Sequence, residues 1–169
     1  MPIDKNLAAW QILGVAIRSE IDAAAFYKRL QGRVKNVLLV QKLKFLVLEE
    51  EHHKKIIEHL LAQRYPDKPK DVPESSLMPP IGVSLPADPA VPALFEAALR
   101  AEEISEAYYS DAAERVEDEA GRRILAYLGR VERSHQAMIR SEMELISKFP
   151  DYYNVEDFHI AQDLFHVGP

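Results

Sequence analysis

Two tetrapeptides, Glu50-Glu51-His52-His53 and Glu132-Arg133-Ser134-His135, each carry Glu-x-x-His, and they stand 82 residues apart. The same offset relates Glu20 to Glu102, Tyr27 to Tyr109 and Leu46 to Leu128. One shift therefore aligns four carboxylates and two imidazoles. Carboxylate oxygens together with neutral imidazole nitrogens suit iron, manganese or zinc. A buried carboxylate costs several kcal/mol unless it is paired, protonated or bound to metal. Two divalent ions would balance four of them. On a helix, i, i+3 spacing puts Glu50 and His53 on one face, and the same holds for Glu132 and His135. Bridging carboxylates can hold two metals about 3.5–4 Å apart. The candidate metal ligands are therefore Glu20, Glu50, His53, Glu102, Glu132 and His135.

Helices must position these side chains, and proline shows where helices can run. Eight of the eleven prolines fall between residues 66 and 92, with none from Ile3 to Tyr65 and none from Ala93 to Phe149. Proline in a helix interior costs about 3 kcal/mol. Two proline-free blocks around a proline-rich connection thus predict two helical hairpins, with the connection spanning roughly 66–88. At about 3 Å per residue, an extended connection of this kind can run the length of a bundle. Within the first block, Gln31-Gly32-Arg33 should end one helix and Asn36 should cap the next. In the second block Asp118 takes the place of Asn36, one offset on. Asn and Asp accept the free backbone N–H groups of a first turn. Asp88-Pro89 suits the start of the third helix.

The apolar stripes place the polar residues inside the core. Leu43, Leu46, Glu50, His53, Ile57 and Leu60 follow steps of three and four, as do Leu125, Leu128, Glu132, His135 and Ile139. The first and third helices offer Leu13, Ile17, Glu20, Ala24, Tyr27 and Phe95, Leu99, Glu102, Tyr109, Val116. Such spacing keeps residues on one helical face. The expected fold is all-α: a four-helix bundle of two hairpins over residues 1–149, joined by the long crossover so that the second and third helices run parallel. Residues 150–169 are expected to form a tail whose aromatic side chains pack on the bundle or on a partner chain.

Composition narrows the function. The chain has 169 residues, 47% of them apolar, a net charge of −6 and no cysteine. One domain of this length can bury a core. A negative balance argues against nucleic acid, whose phosphates need a basic face. No apolar run reaches the roughly 18 residues that span a bilayer, and the N-terminus lacks the basic-then-apolar pattern of a secretory signal. The expectation is a cytoplasmic protein away from the membrane. Without cysteine there is no disulfide, iron–sulfur or rubredoxin-type centre in these residues.

A Glu from each of two helices, plus Glu-x-x-His from the other two, is the donor set of ferritin-like di-iron and di-manganese bundles. On Glu20 with Phe26-Tyr27, Leu48-Glu49-Glu50-Glu51-His52-His53, Glu102 with Tyr108-Tyr109, and Glu132 to His135, the chain resembles the rubrerythrin family over about residues 7–149. The resemblance implies a ferritin-like fold and two metal ions, iron first, with manganese or zinc as alternatives. It implies bridging roles for Glu50 and Glu132, terminal carboxylates at Glu20 and Glu102, terminal imidazoles at His53 and His135, and Tyr27 and Tyr109 close to the metals. It also implies an oxidoreductase that reduces hydrogen peroxide or dioxygen at a di-iron(II) centre, acting as a peroxidase or ferroxidase. A homodimer, in some relatives helix-swapped, would be the assembly. With no rubredoxin centre in the chain, electrons would come from an external donor such as a rubredoxin-like protein. Peroxidase-type members carry an extra glutamate three residues after the third-helix ligand. Here that position is Ser105, while Glu106 lies one residue further and about 100° away around the helix.

Other readings stand beside this one: a non-catalytic metal-binding or iron-buffering protein, and an oxygenase acting on an organic substrate. His52 and His59 read as surface residues, His159 and His166 as packing residues, and Glu49, Glu51 and Glu103 as solvated charges. Glu106 is open between a solvated charge and a ligand or proton-relay role. Tyr27 and Tyr109 are expected to hydrogen-bond a ligand, with plain core aromatics as the alternative.

Overall fold

The computed structural model describes residues 7–32, 34, 36–74 and 90–149. Among them are four helices and no strand: α1 (Ala9–Gln31), α2 (Val37–Arg64), α3 (Val91–Arg115) and α4 (Glu119–Lys148). α1 and α3 begin 82 residues apart, and so do α2 and α4. The internal repeat is thus a repeat of whole hairpins.

Local chemistry sets the helix starts. The Asn36 side chain accepts the Leu39 N–H at 3.1 Å, and the Asp118 side chain accepts the Gly121 N–H at 2.7 Å. Each cap satisfies one N–H that the first turn leaves free. α1 starts without a capping side chain at Ala8, but Gln11 reaches back to accept the Ala8 N–H at 3.0 Å. α3 starts at Val91 with Pro92 in its first turn, where a missing N–H costs nothing. Asp88-Pro89, expected at this start, lies outside the described residues. So do residues 75–89 of the crossover and the whole of the 150–169 tail.

Contacts fix the topology. Along α1 and α3, Tyr27 meets Glu102, Glu20 meets Tyr109, and Ile12 meets Tyr108, so the two helices run antiparallel. α1 and α2 form an antiparallel hairpin through a short turn, which makes α2 and α3 parallel. Between α3 and α4, Glu102 pairs with His135 and Glu103 with Arg140, an antiparallel hairpin again. This is an all-α ferritin-like bundle, as the hairpin pattern predicts. No helix among the described residues is long and apolar enough to cross a membrane.

The core has two apolar halves. One includes Ile12, Leu13, Ile57, Tyr109, Leu125 and Leu128, and the other Phe26, Tyr27, Leu43, Leu46, Phe95 and Ile139. The offset of 82 carries residues of one half into the other: Leu46 to Leu128, Ile57 to Ile139, Tyr27 to Tyr109. Gly14 is needed for a close approach. A Cβ there would sit 1.9 Å from the Asp71 carbonyl oxygen, so its absence lets the start of the crossover lie against α1.

Candidate metal centre

All six carboxylates and imidazoles singled out by the repeat are buried, each 3% exposed or less. They fall into two groups. Glu20, Glu50, His53 and Glu132 bring one ligand atom each within 4.8 Å of one another, and so do Glu50, Glu102, Glu132 and His135. Glu50 and Glu132 belong to both groups. The offset that turns Glu20 into Glu102 turns the first group into the second. The arrangement is two groups of four that share two carboxylates.

The distances show convergence on common points. His53 Nδ1 lies 3.2 Å from Glu132, 3.3 Å from Glu50 and 3.5 Å from Glu20. Its counterpart, His135 Nδ1, lies 3.3 Å from Glu102 and 3.4 Å from Glu132. The imidazole rings stack nearly parallel, with centroids 5.8 Å apart. Four buried atoms nevertheless find no hydrogen-bond partner: Glu20 Oε2, His53 Nδ1 and both carboxylate oxygens of Glu132. Buried polar atoms without partners are rare. Here all four belong to the two groups, as donor atoms for a cation would.

Tyrosines hold the outer oxygens. Tyr27 of α1 donates its hydroxyl to Glu102 Oε1 of α3, and Tyr109 of α3 donates to Glu20 Oε1 of α1. Each hairpin thus orients a buried carboxylate of the other. Burial first, and then the charge of Glu102, pushes the Tyr27 hydroxyl well above its usual pKa, so it remains a donor.

Electrostatics describe how the metal-free cluster holds protons. Burial, reinforced by the charge of Glu50, raises Glu20 well above the carboxylate range. Burial raises Glu102 to about 8, although His135 works in the other direction. For Glu132, burial and Glu50 oppose ionisation, but its contacts with His135, His53 and Glu102 outweigh them and hold it below the usual value. Burial disfavours charge on both imidazoles. Surrounding carboxylates more than reverse this, raising His53 strongly and His135 to about 10. The metal-free centre is therefore a proton store, and bound cations would have to displace those protons.

A rubrerythrin family profile matches residues 11–143. The chain belongs to the rubrerythrin family. It is also similar in structure to a hypothetical protein from Pyrococcus furiosus, at 32% identity and a TM-score of 0.72, covering 88% of this chain and 98% of that one. No curated protein matched it. Rubrerythrins bind two iron ions, and the residues of this chain fit such a pair: a hard oxygen-rich donor set, two nitrogens, two shared carboxylates, and unsatisfied atoms on Glu20, His53 and Glu132.

The remaining expectations divide. His52, His59, Glu51 and Glu103 are exposed, in keeping with surface roles. Glu106 turns away from the cluster. It accepts from Arg133 Nε at 2.8 Å and Nη2 at 2.5 Å, and from Gln136 Nε2 at 2.7 Å. Ser105 is buried on α3 beside it in sequence. Glu49, read from sequence as a solvated charge, is partly buried and lies 4.0 Å from His135 Nε2. Sequence reasoning passed over Gln136, which also donates to the Glu102 carbonyl at 3.3 Å. The available signal was its spacing, one residue after His135 and four after Glu132.

Proposed function

We propose that this protein is a di-iron oxidoreductase that reduces hydrogen peroxide or dioxygen, with Glu20, Glu50, His53, Glu102, Glu132 and His135 as metal ligands. The observation that carries the reading is the pair of four-residue groups sharing Glu50 and Glu132, with unsatisfied buried atoms in both. Glu50 and Glu132, common to both groups, would be shared by the two ions, with Glu20 and His53 holding one and Glu102 and His135 the other. When bound, two iron(II) ions supply the two electrons that a peroxide O–O bond needs for cleavage.

The chain's own residues do the rest. Tyr27 and Tyr109 fix one oxygen of each terminal carboxylate and leave the other facing its group. Hydrogen-bonded outer partners of this kind tune ligand orientation and basicity. Leu46, Leu128, Ile57 and Ile139 surround the centre and exclude bulk water. Four carboxylates and two neutral imidazoles balance two divalent cations, so loading releases protons held by Glu20, Glu102 and the imidazoles. Re-reduction is assigned to a separate donor protein such as a rubredoxin-like one, because these residues have no cysteine to build an iron–sulfur site. The working form would be a cytoplasmic homodimer.

Metal analysis should find about two ions per chain. The Fe(II) form, mixed anaerobically with peroxide, should show spectral oxidation of the iron. An iron-loaded protein whose spectrum stays unchanged with both peroxide and dioxygen would leave metal storage in its place.

A further inference from the structure

The hairpins match at every ligand but differ beside their terminal carboxylates. Between α1 and α2 lies a groove of about 230 Å³ that reaches Glu20. Ile21, Ala24, Ala25 and Val47 form its apolar part, with Glu51 and Lys54 also lining it. Moved by 82 residues, Ala24 becomes Glu106, Glu51 becomes Arg133 and Lys54 becomes Gln136. On the second hairpin these three are tied together. Glu106 accepts from both nitrogens of the Arg133 edge and from Gln136, and Gln136 is anchored in turn on the Glu102 carbonyl. A strut therefore crosses from α3 to α4 at the level of Glu102, where the first hairpin has two alanines and a groove.

We infer that the groove between α1 and α2 is the route by which divalent cations and small neutral oxidants reach the centre, and that the Glu106–Arg133–Gln136 strut closes the equivalent route on the other hairpin. This rests on the metal-centre reading above. On the open side, Ala24 and Ala25 leave space between Ile21 and Val47 that reaches Glu20, whose Oε2 has no hydrogen-bond partner. On the closed side, a passing ion must first break a carboxylate–guanidinium pair and an amide contact. The groove is lined by two lysines, Lys28 and Lys54, and two glutamates, Glu20 and Glu51. Once Glu20 gives up its proton to a cation, these four charges cancel, so the lining then turns away neither neutral species nor cations.

The test uses the full chain stripped of metal, with Co(II) alone as probe, followed by its visible absorbance in stopped flow. Ala24→Leu narrows the groove without touching a ligand. Uptake should slow about tenfold or more, and stripping by a chelator should slow by the same factor. A barrier on a path changes both rates and leaves affinity and stoichiometry as they were. Adding Glu106→Ala to that variant should restore fast uptake by opening the second side. If Ala24→Leu fails to fold, the triple change Ala24→Glu, Glu51→Arg, Lys54→Gln builds the strut that the other hairpin already carries, and it should slow uptake likewise. Unchanged uptake in a variant with native helicity and melting temperature overturns the route. So does slowed uptake accompanied by weakened affinity, because the substitution then acts on the ligands. Failure of the unaltered protein to bind Co(II) at all overturns the metal centre itself, and the route with it.

Discussion

Glu102→Gln separates a metal ligand from a structural carboxylate, because its two effects should have opposite signs. Glu102 is buried, and its carboxyl is raised from 4.5 to about 8 in the metal-free fold. A carboxyl whose folded pKa exceeds its unfolded value favours folding only while it keeps its proton. That contribution is complete below about pH 4.5 and is lost as the pH rises through about 8. At pH 7 an unfolded glutamate has ionised and Glu102 has not, which costs the folded state about 3 kcal/mol relative to a group that never titrates. Above pH 8 the cost approaches about 5 kcal/mol. Glutamine has nearly the same shape. Its carbonyl can accept the Tyr27 hydroxyl as Glu102 Oε1 does, so the side chain keeps its place. The metal-free variant should therefore be more stable than the unaltered protein by up to about 3 kcal/mol at pH 7, with a shallower loss of stability toward pH 9. Metal binding should move the other way. The site containing His135 loses a ligand, and its affinity should fall by more than the roughly 100-fold that a lost outer partner can cost. Urea denaturation of metal-free protein from pH 5 to 9 gives the first quantity, and competition titration with a chromophoric chelator gives the second. A destabilised metal-free variant, or unaltered affinity for both ions, would refute the reasoning.

The tyrosines act at one remove. Tyr27→Phe and Tyr109→Phe should each weaken metal affinity about 10–100-fold while leaving two ions bound at saturation; less than threefold in both, by the same chelator competition, would remove their orienting role. Glu50→Ala and Glu132→Ala should each abolish paired binding, and retention of two ions in either variant would exclude bridging. Gly14→Ala tests the packing of the crossover. Alanine improves helix propensity by about 1 kcal/mol, yet the new methyl meets the Asp71 carbonyl, so the melting temperature should fall. A rise would show that the crossover yields at that point.

The buried cluster was legible because a repeat that places six polar residues in apolar stripes leaves a strict mark. One offset relates Glu20 to Glu102, Glu50 to Glu132 and His53 to His135, so finding one half of the cluster locates the other. The hairpins were legible from proline, and the caps at Asn36 and Asp118 from their place one offset apart. Glu106 was not legible. Its angle around α3 says only that it leaves the ligand face, and whether it meets water or a partner depends on Arg133 and Gln136, which come from another helix. Glu49 was hidden for the same reason, since its neighbour His135 lies on α4. Contacts between helices decide such surface and rim positions, whereas periodicity within one helix decides the core.

The repeat is preserved at the buried polar cluster and broken around it. The six carboxylates and imidazoles, the tyrosines and the enclosing leucines and isoleucines keep the offset. Outside them, Glu49 approaches His135 Nε2, while the related position carries Val131. Likewise Glu106 braces Arg133 and Gln136 where Ala24 leaves a groove. Glu49 thus brings a carboxylate to 4.0 Å from the outer nitrogen of His135, where its counterpart Val131 carries no charge. The groove ends instead at Glu20, beside His53. The group around His135 is thus flanked by the strut, and the group around His53 lies beside the groove. Near-identical ligand sets set in unlike surroundings give a symmetric cage with a front and a back.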